Sequence, residues 1–202
     1  HHNIYTDSAW HISHLLRQTA LAVAQPSRQR DGRDLGSAIG VATSIETSKQ
    51  ELLRDLLRQV SRLFYTTLVV VPADVRDQVS LAYLFARAAD TIADTELIDR
   101  PRRLDFLGQL KGQFIGDQIS WGQIREIQRA MAPLQQNSSE HMLLERLEDC
   151  FKLFQEFSPD DRRRIQRLMT TLTQGMEMDL VVFPGTSAED LVALKTSDDL
   201  DR

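Results

Sequence analysis

Four polar side chains close together in the sequence have the types and spacing needed to bind a metal ion and a phosphate. They are Tyr83, Arg87, Asp90 and Asp94, within the stretch from Ala73 to Thr95. On an α-helix, spacings of four, three and four residues place all of them in one narrow sector. Two carboxylates at this spacing repel each other unless a cation lies between them, and Mg²⁺ prefers one or two carboxylates together with phosphate oxygens and water. The pattern therefore predicts a Mg²⁺ and diphosphate site along this helix.

The arginine and the tyrosine extend this prediction. The guanidinium of Arg87 can donate two parallel hydrogen bonds to a phosphate, and the ring of Tyr83 can stabilise a developing carbocation. The same four residues would also suit the solvent-exposed side of an ordinary amphipathic helix, and this alternative stays open. The small residues Ala86, Ala89 and Ala93 beside them favour the close approach of a neighbouring helix instead.

The helix that carries these groups is predicted to pack inside the protein. Pro72 stands before it, where a proline suits the first turn of a helix, and Asp74 supplies the negative charge favoured there. The side of the helix opposite the four polar groups is apolar and predicts packing against other helices. This side carries Leu81, Phe85, Ala88 and Ile92.

The rest of the chain predicts further helices and no paired strands, and hence an all-α bundle of about eight helices. The β-branched run from Thr66 to Val71 has no partner strand elsewhere, so it is expected to be helical or irregular. The other predicted helices are Ser8–Gln25, Lys49–Leu63, Arg100–Phe114, Gln118–Met131, Asn137–Phe157, a helix that begins at Ser158 and ends before Pro184, and a last helix from Ser187.

Two of these helices have clear start signals. Asn137 followed three residues later by Glu140 matches a capping pattern, and Ser158 precedes a proline and two aspartates. On the second of these helices, Gly175 and Asp179 fall on the predicted apolar stripe, which indicates close helix approach or a ligand. The predicted buried stripes are Leu52, Leu53, Leu56, Leu57 and Val60; Leu143, Leu147, Phe151 and Phe154; and Ile165, Leu168, Met169, Leu172, Met176 and Leu180.

Composition excludes several classes of partner. The net charge of −5 gives no basic surface for nucleic acid, so no nucleic-acid partner is expected. The single cysteine, Cys150, excludes an internal disulfide and fits a reducing compartment. No apolar run reaches the roughly 18 residues that span a bilayer, and the first residues show no secretion signal, so a cytoplasmic location is predicted. Residues 1–48 are predicted to be an N-terminal helix and a flexible linker.

The segment around the four polar residues resembles the head-to-head prenyl synthases, the squalene and phytoene synthase family. The GMEMDL sequence at residues 175–180 resembles the helix that precedes the family's second signature. The resemblance covers residues 50–202 and implies an isoprenoid-synthase-like helical bundle, with residues 49–202 as the N-terminal part of the prenyl-synthase domain. The residues that carry the resemblance, in the family's order and spacing, are Ser61, Arg62, Phe64, Tyr83, Arg87, Asp90, Thr91 and Asp94.

The resemblance implies a transferase that condenses two prenyl diphosphates. A threonine after the first aspartate is closest to squalene synthases, which implies farnesyl diphosphate as the substrate, presqualene diphosphate as the intermediate, squalene as the product, and Mg²⁺ and NADPH as cofactors. Asp90 and Asp94 would bind the metal, and both would be catalytic together with Tyr83 and Arg87. The residues that would contact the substrate are Ser61, Arg62, Phe64, Arg87, Gly175, Met176 and Asp179.

Departures from the family give further expectations. Ala93 stands where eukaryotic squalene synthases often carry a glutamate, so one metal ligand is absent. The family's second aspartate motif would begin just after Arg202, so the chain is expected to be a truncated N-terminal portion, and whether it is active alone stays open. Phytoene or dehydrosqualene synthesis and a non-catalytic helical scaffold or partner module stay open as alternatives.

Peripheral membrane association would suit so apolar a substrate, and exposed apolar surface would promote self-association.

Overall fold

The computed structural model describes residues 49–116 and 118–182. The predicted helix Ser8–Gln25, the predicted linker Pro26–Ser48 and the predicted helix from Ser187 lie outside these residues. The described residues form an all-α bundle with no strand, as predicted. Its elements are a π-helical segment Glu51–Leu56, α1 Leu57–Val60, α2 Arg62–Thr67, a 3₁₀ turn Leu68–Val70, α3 Ala73–Asp94, α4 Arg100–Ile115, α5 Trp121–Met131, a 3₁₀ turn Ala132–Leu134, α6 Ser138–Glu145, α7 Leu147–Glu156 and α8 Pro159–Val182.

Helix α3 lies at the centre of the bundle, which confirms the prediction for this stretch. It begins after Pro72, whose extended backbone precedes the first turn, and it ends where Thr95 becomes extended. It contacts α4, α6, α7, α8 and the π-helical segment. Because neighbours surround it, much of its polar sector is shielded as well: Tyr83 and Asp90 are buried and Arg87 is half-buried, whereas Asp94 is exposed. The interpretation of this helix as an amphipathic one with a solvent-exposed polar side is therefore wrong for Tyr83 and Asp90, which are both buried.

Phenylalanines from three helices form the middle of the core. The ring centroid of Phe85 on α3 lies 4.6 Å from that of Phe151 on α7 and 5.0 Å from that of Phe114 on α4. Phe154 packs edge-on against Phe85 at 5.9 Å. Burying each such side chain stabilises the fold by about 1.5–3 kcal/mol, so this cluster holds the rotation of α3 about its axis and with it the direction of the polar sector.

The predicted continuous helix Lys49–Leu63 is interrupted at Ser61. Its four leucines are buried as expected and Val60 is half-buried, but Ser61 has an extended backbone (φ −153°, ψ 101°). The side chain explains the interruption, because Ser61 Oγ accepts a hydrogen bond at 3.2 Å from the backbone N–H of Phe64 and so caps α2. The stretch Thr66 to Val71 continues as the end of α2 and a 3₁₀ turn, which confirms that it is not a strand.

The predicted helix Asn137–Phe157 is divided in two at Arg146, whose backbone (φ −95°, ψ 11°) leaves the helical region. Asn137 caps α6 as predicted, since its Oδ1 accepts from the N–H of Ser139 at 2.9 Å. The predicted apolar stripe of this segment is buried on both sides of the division. Helix α4 agrees with its prediction within one residue, whereas α5 begins at Trp121 rather than at Gln118.

Helix α8 begins at the predicted signal, where Ser158 Oγ accepts from the N–H of Asp161 at 3.2 Å. Its buried face contains Ile165, Met169 and Leu172, as predicted, and also Thr173. Gly175 and Asp179 lie outside this buried face, and both are exposed. The prediction that these two residues face the core is therefore wrong. Among the described helices, none has the length and apolar composition of a membrane span.

Candidate functional site

The last turns of α3, the segment after them and the start of α6 enclose a cleft of about 310 Å³. The two predicted metal ligands, Asp90 and Asp94, line it together with Arg87. The helix ends at this point because the backbone of the buried Thr95 is extended, and its hydroxyl donates to the carbonyl of Thr91 and accepts from the amide of Gln135. The remaining lining residues are Glu96, Leu97, Leu134, Gln136, Asn137 and Glu140.

Arg87 lies between two carboxylates of different helices. Its Nη1 donates to Asp90 Oδ2 at 2.7 Å, and its Nη2 donates to Glu140 Oε1 at 2.5 Å. The side chains of Arg87, Asp90 and Glu140 are 23%, 4% and 19% exposed, so these ion pairs are largely shielded from water. The third nitrogen, Nε, is buried and has no hydrogen-bond partner among the described residues.

The electrostatics of the cleft favour an incoming cation. The pKa of Asp90 is raised to about 7, chiefly by burial and next by the charge of Asp94, while Arg87 opposes both effects. The pKa of Asp94 is also raised, chiefly by loss of surrounding water, although its side chain reaches the open side of the cleft. Burial alone would lower the pKa of Arg87, but Asp90 and Glu140 raise it above its usual value. A divalent cation near the aspartates would relieve their repulsion.

Tyr83, one turn before Arg87, belongs to an aromatic pair beside the cleft. Its ring stacks on that of Phe64, with centroids 3.8 Å apart and an angle of 13° between the rings. Its hydroxyl is hydrogen-bonded to the side chain of Ser61, while burial raises its pKa. The structure thus brings Ser61, Phe64 and Tyr83 together, and Arg62 beside them is exposed.

The predicted substrate residues on α8 are not part of the cleft. Gly175 and Asp179 are exposed, and Met176 is half-buried against the core. Their neighbour Glu177 forms an ion pair with Lys111 of α4. A contact between substrate and Gly175, Met176 or Asp179 stays a prediction.

Sequence reasoning missed the role of Glu140. It was assigned to a capping pattern with Asn137, but its carboxylate binds Arg87 instead. These two residues are 53 positions apart, so no local pattern could have paired them. Arg103 of α4 was missed as well; its Nη1 donates to the carbonyl of Ala93 at 2.9 Å, and its charge lowers the pKa of Asp94.

The donor set fits Mg²⁺ that arrives with its own phosphate ligands. Asp90 and Asp94 offer the hard carboxylate oxygens that this ion prefers. Within the described part of the chain, no three His, Cys, Asp or Glu residues converge on one point where they could hold a metal ion. The carboxylates would therefore complete a coordination shell rather than form one alone.

The fold and the cleft define an all-α protein of the isoprenoid-synthase-like class. The model of the squalene/phytoene synthase family matches residues 57–200, which is more than half of the chain. The chain therefore belongs to the squalene/phytoene synthase family, whose members are head-to-head prenyltransferases acting on prenyl diphosphates. Searches of curated proteins and of solved structures gave no match.

Proposed function

We propose that this chain is a squalene-synthase-type transferase that condenses two molecules of farnesyl diphosphate through presqualene diphosphate. The observation that carries the proposal is that the guanidinium of Arg87 and the carboxylates of Asp90 and Asp94 line one cleft. This combination supplies a bidentate donor for phosphate and acceptors for a divalent cation within two turns of one helix.

In this proposal each polar group has a separate task. Arg87 donates to phosphate oxygens and keeps the diphosphate oriented towards the interior of the bundle. Asp90 and Asp94 accept Mg²⁺, which when bound neutralises the charge of the leaving diphosphate. The buried position of Asp90 excludes water from one side of that complex, so the electrostatic interactions there are stronger than at an exposed site.

The aromatic pair supports the carbon chemistry of the same proposal. Tyr83 lies one turn from Arg87, so its ring is near the position where a prenyl cation would form after diphosphate departs. The negative face of an aromatic ring stabilises such a cation. Phe64 stacks on this ring, and Ser61 holds its hydroxyl, so the pair is fixed in place before substrate arrives.

The reductive half of the reaction rests on the resemblance alone. None of the described residues supplies an argument for an NADPH site, so no step is assigned to that cofactor. Squalene, phytoene and dehydrosqualene synthesis share the first condensation, and the cleft would serve each of them. Farnesyl diphosphate and the reduced product are proposed because Thr91 follows Asp90, as in squalene synthases.

A second candidate is a non-catalytic helical module that binds a protein partner. One observation favours it: Leu63, Val69 and Val70 are 72%, 78% and 84% exposed on the outer side of α2 and the following turn. Apolar side chains grouped in this way often mark an interaction surface.

Incubation of the chain with radiolabelled farnesyl diphosphate tests the two candidates. We expect Mg²⁺-dependent binding and formation of presqualene diphosphate, which becomes squalene when NADPH is added. The control is Asp105→Asn, an exposed carboxylate on α4 outside the cleft, which should leave binding and product unchanged. Binding without any prenyl product would remove the transferase activity from this chain, and absence of Mg²⁺-dependent binding would overturn the diphosphate site as well.

A further inference from the structure

The ion pair between Arg87 and Glu140 joins two helices inside the cleft. Glu140 belongs to α6, and its Oε1 accepts from Arg87 Nη2 at 2.5 Å. Asp90 accepts from the other terminal nitrogen, Nη1, at 2.7 Å. Both terminal nitrogens of the guanidinium are therefore engaged by carboxylates of the protein itself. A phosphate that binds at either terminal nitrogen must therefore displace one of these carboxylates.

The charges around the cleft are unbalanced. The acidic groups are Asp90, Asp94, Glu96 and Glu140, whereas Arg87 and Arg103 are the basic groups that act on the two aspartates. Burial weakens screening by water, so the excess of negative charge repels a free anion strongly. A diphosphate that enters with a divalent cation carries much less net negative charge, and its cation is attracted to the same carboxylates.

We propose that Glu140 is a specificity-determining residue, the counter-ion that occupies Arg87 in the empty cleft and so excludes diphosphates that arrive without a divalent cation. This inference rests on the proposed function, because it concerns how that cleft selects its ligand. Cation-bound diphosphate exchanges with Glu140 at Nη2, whereas free diphosphate, inorganic phosphate and other bare anions do not displace it.

The position of Glu140 keeps the free-energy cost of releasing it from Arg87 low. It lies in the first turn of α6, whose N-terminus Asn137 caps, and a carboxylate there is stabilised by the helix dipole even without Arg87. The side chain is 19% exposed at the cleft surface, so on release it can reach water. Asp90 differs in both respects, since it is almost fully buried and lies near the C-terminal end of α3. Of the two carboxylates bound to Arg87, Glu140 is thus the one that a phosphate displaces.

Calorimetric titration of the full chain with inorganic pyrophosphate tests the inference, once without divalent cation and once with excess Mg²⁺. The variant is Glu140→Gln, which removes the charge and keeps the size of the side chain. The matched control is Glu145→Gln on the same helix, because its carboxylate is exposed and pairs with His141 outside the cleft. Circular dichroism melting checks that each variant folds, and Glu140→Ala serves as a second neutral variant.

Without cation, we expect Glu140→Gln to bind pyrophosphate about tenfold more tightly than the wild-type chain, because Arg87 is released and one repelling charge is gone. With Mg²⁺ this advantage should disappear, and Glu145→Gln should match the wild-type chain throughout. Glu140→Asp keeps the charge and should restore weak metal-free binding.

Equal metal-free affinities for the wild-type chain and both neutral variants would overturn the inference. So would an equal loss of affinity with and without Mg²⁺, which is the signature of a purely structural role. Failure of the proposed function has a different signature, because the wild-type chain itself would then show no Mg²⁺-dependent binding of pyrophosphate.

Discussion

The two helical segments that carry most of the predicted site residues, the end of α3 and the GMEMDL segment of α8, differ in what surrounds their polar groups. At the end of α3, Arg87 and Asp90 are shielded by other helices and paired with each other. On α8, Gly175 and Asp179 face outward. Both segments lie within the part of the chain that matches the family, so the difference arises from their neighbours in space.

This difference shows that burial, in addition to residue type, determines the pKa values and the charge pairing of an acidic motif. Asp90 has a raised pKa chiefly because neighbouring helices exclude water from it, and also because Asp94 lies one turn further along the same helix. A second helix, α6, contributes Glu140 and completes the charge pattern around Arg87. The α8 segment has no comparable enclosure in the described residues, and its Glu177 serves packing by pairing with Lys111.

The largest expected effect contrasts the two segments directly. Asp90→Asn should weaken Mg²⁺-dependent pyrophosphate binding by about a hundredfold, because one of the two proposed carboxylate ligands would be lost. Asp179→Asn, the matched change on α8, should alter affinity by less than about threefold, since an exposed substitution away from the cleft is close to neutral. Calorimetric titration measures both. Similar losses in the two variants would remove the distinction between the segments and support a substrate contact at Asp179.

The next expected effect is on the pH dependence of stability. The folded state raises the pKa of Asp90 from 3.8 to about 7, so the folded chain holds this proton more tightly than the unfolded chain. The stability from the protonated carboxyl is therefore complete below about pH 4 and is lost as the pH rises towards 7. Relative to Asp90→Asn, the wild-type chain should lose on the order of 2–4 kcal/mol of unfolding free energy between pH 4 and pH 8.

Urea unfolding at several pH values measures this loss. Asp105→Asn, an exposed carboxylate variant, should give a curve parallel to that of the wild-type chain. A parallel curve for Asp90→Asn would show that the enclosure at the end of α3 does not perturb this carboxyl, and the two segments would then be alike.

A smaller effect is expected for the aromatic pair of Phe64 and Tyr83 beside the cleft. Ser61→Ala removes the cap of α2 and the hydroxyl partner of Tyr83, and should cost about 1 kcal/mol of unfolding free energy. Thermal unfolding measures it, with Ser138→Ala, an exposed serine in the first turn of α6, as the control. If the two variants are equally stable, the cap at Ser61 does not contribute measurably to the unfolding free energy.

The smallest expected effect is a gain. Gly175 lies on α8 with open space where a Cβ would be, so Gly175→Ala should stabilise the chain by about 0.5–1 kcal/mol. Gly112→Ala on α4 has equally open surroundings and should give a similar gain in chemical unfolding. A loss of stability for Gly175→Ala alone would show that another part of the protein packs closely against α8 at this position. The α8 segment would then be enclosed, as the end of α3 is.

Local sequence patterns predicted the elements well where the determining interactions are local. Asn137 and Ser158 start helices because their side chains bond the next turn. The same kind of interaction also ended a predicted helix at Ser61, where a hydroxyl competes with the helical backbone, and apolar periodicity continues on both sides without revealing the interruption. The orientation of the second half of α8 was predicted incorrectly because Gly175 and Asp179 lie at the edge of its apolar stripe, where the helical period alone does not determine which residues become buried.

By itself, the sequence determined that the protein is all-α, that α3 is its central helix, and that Arg87, Asp90 and Asp94 share one side of that helix, because these properties depend on residue type and helical period. Only the tertiary structure decided that this side is enclosed and that Glu140 reaches Arg87 across 53 residues. Desolvation and pairing between distant helices depend on which surfaces meet, and that is a property of the packed bundle rather than of any segment alone.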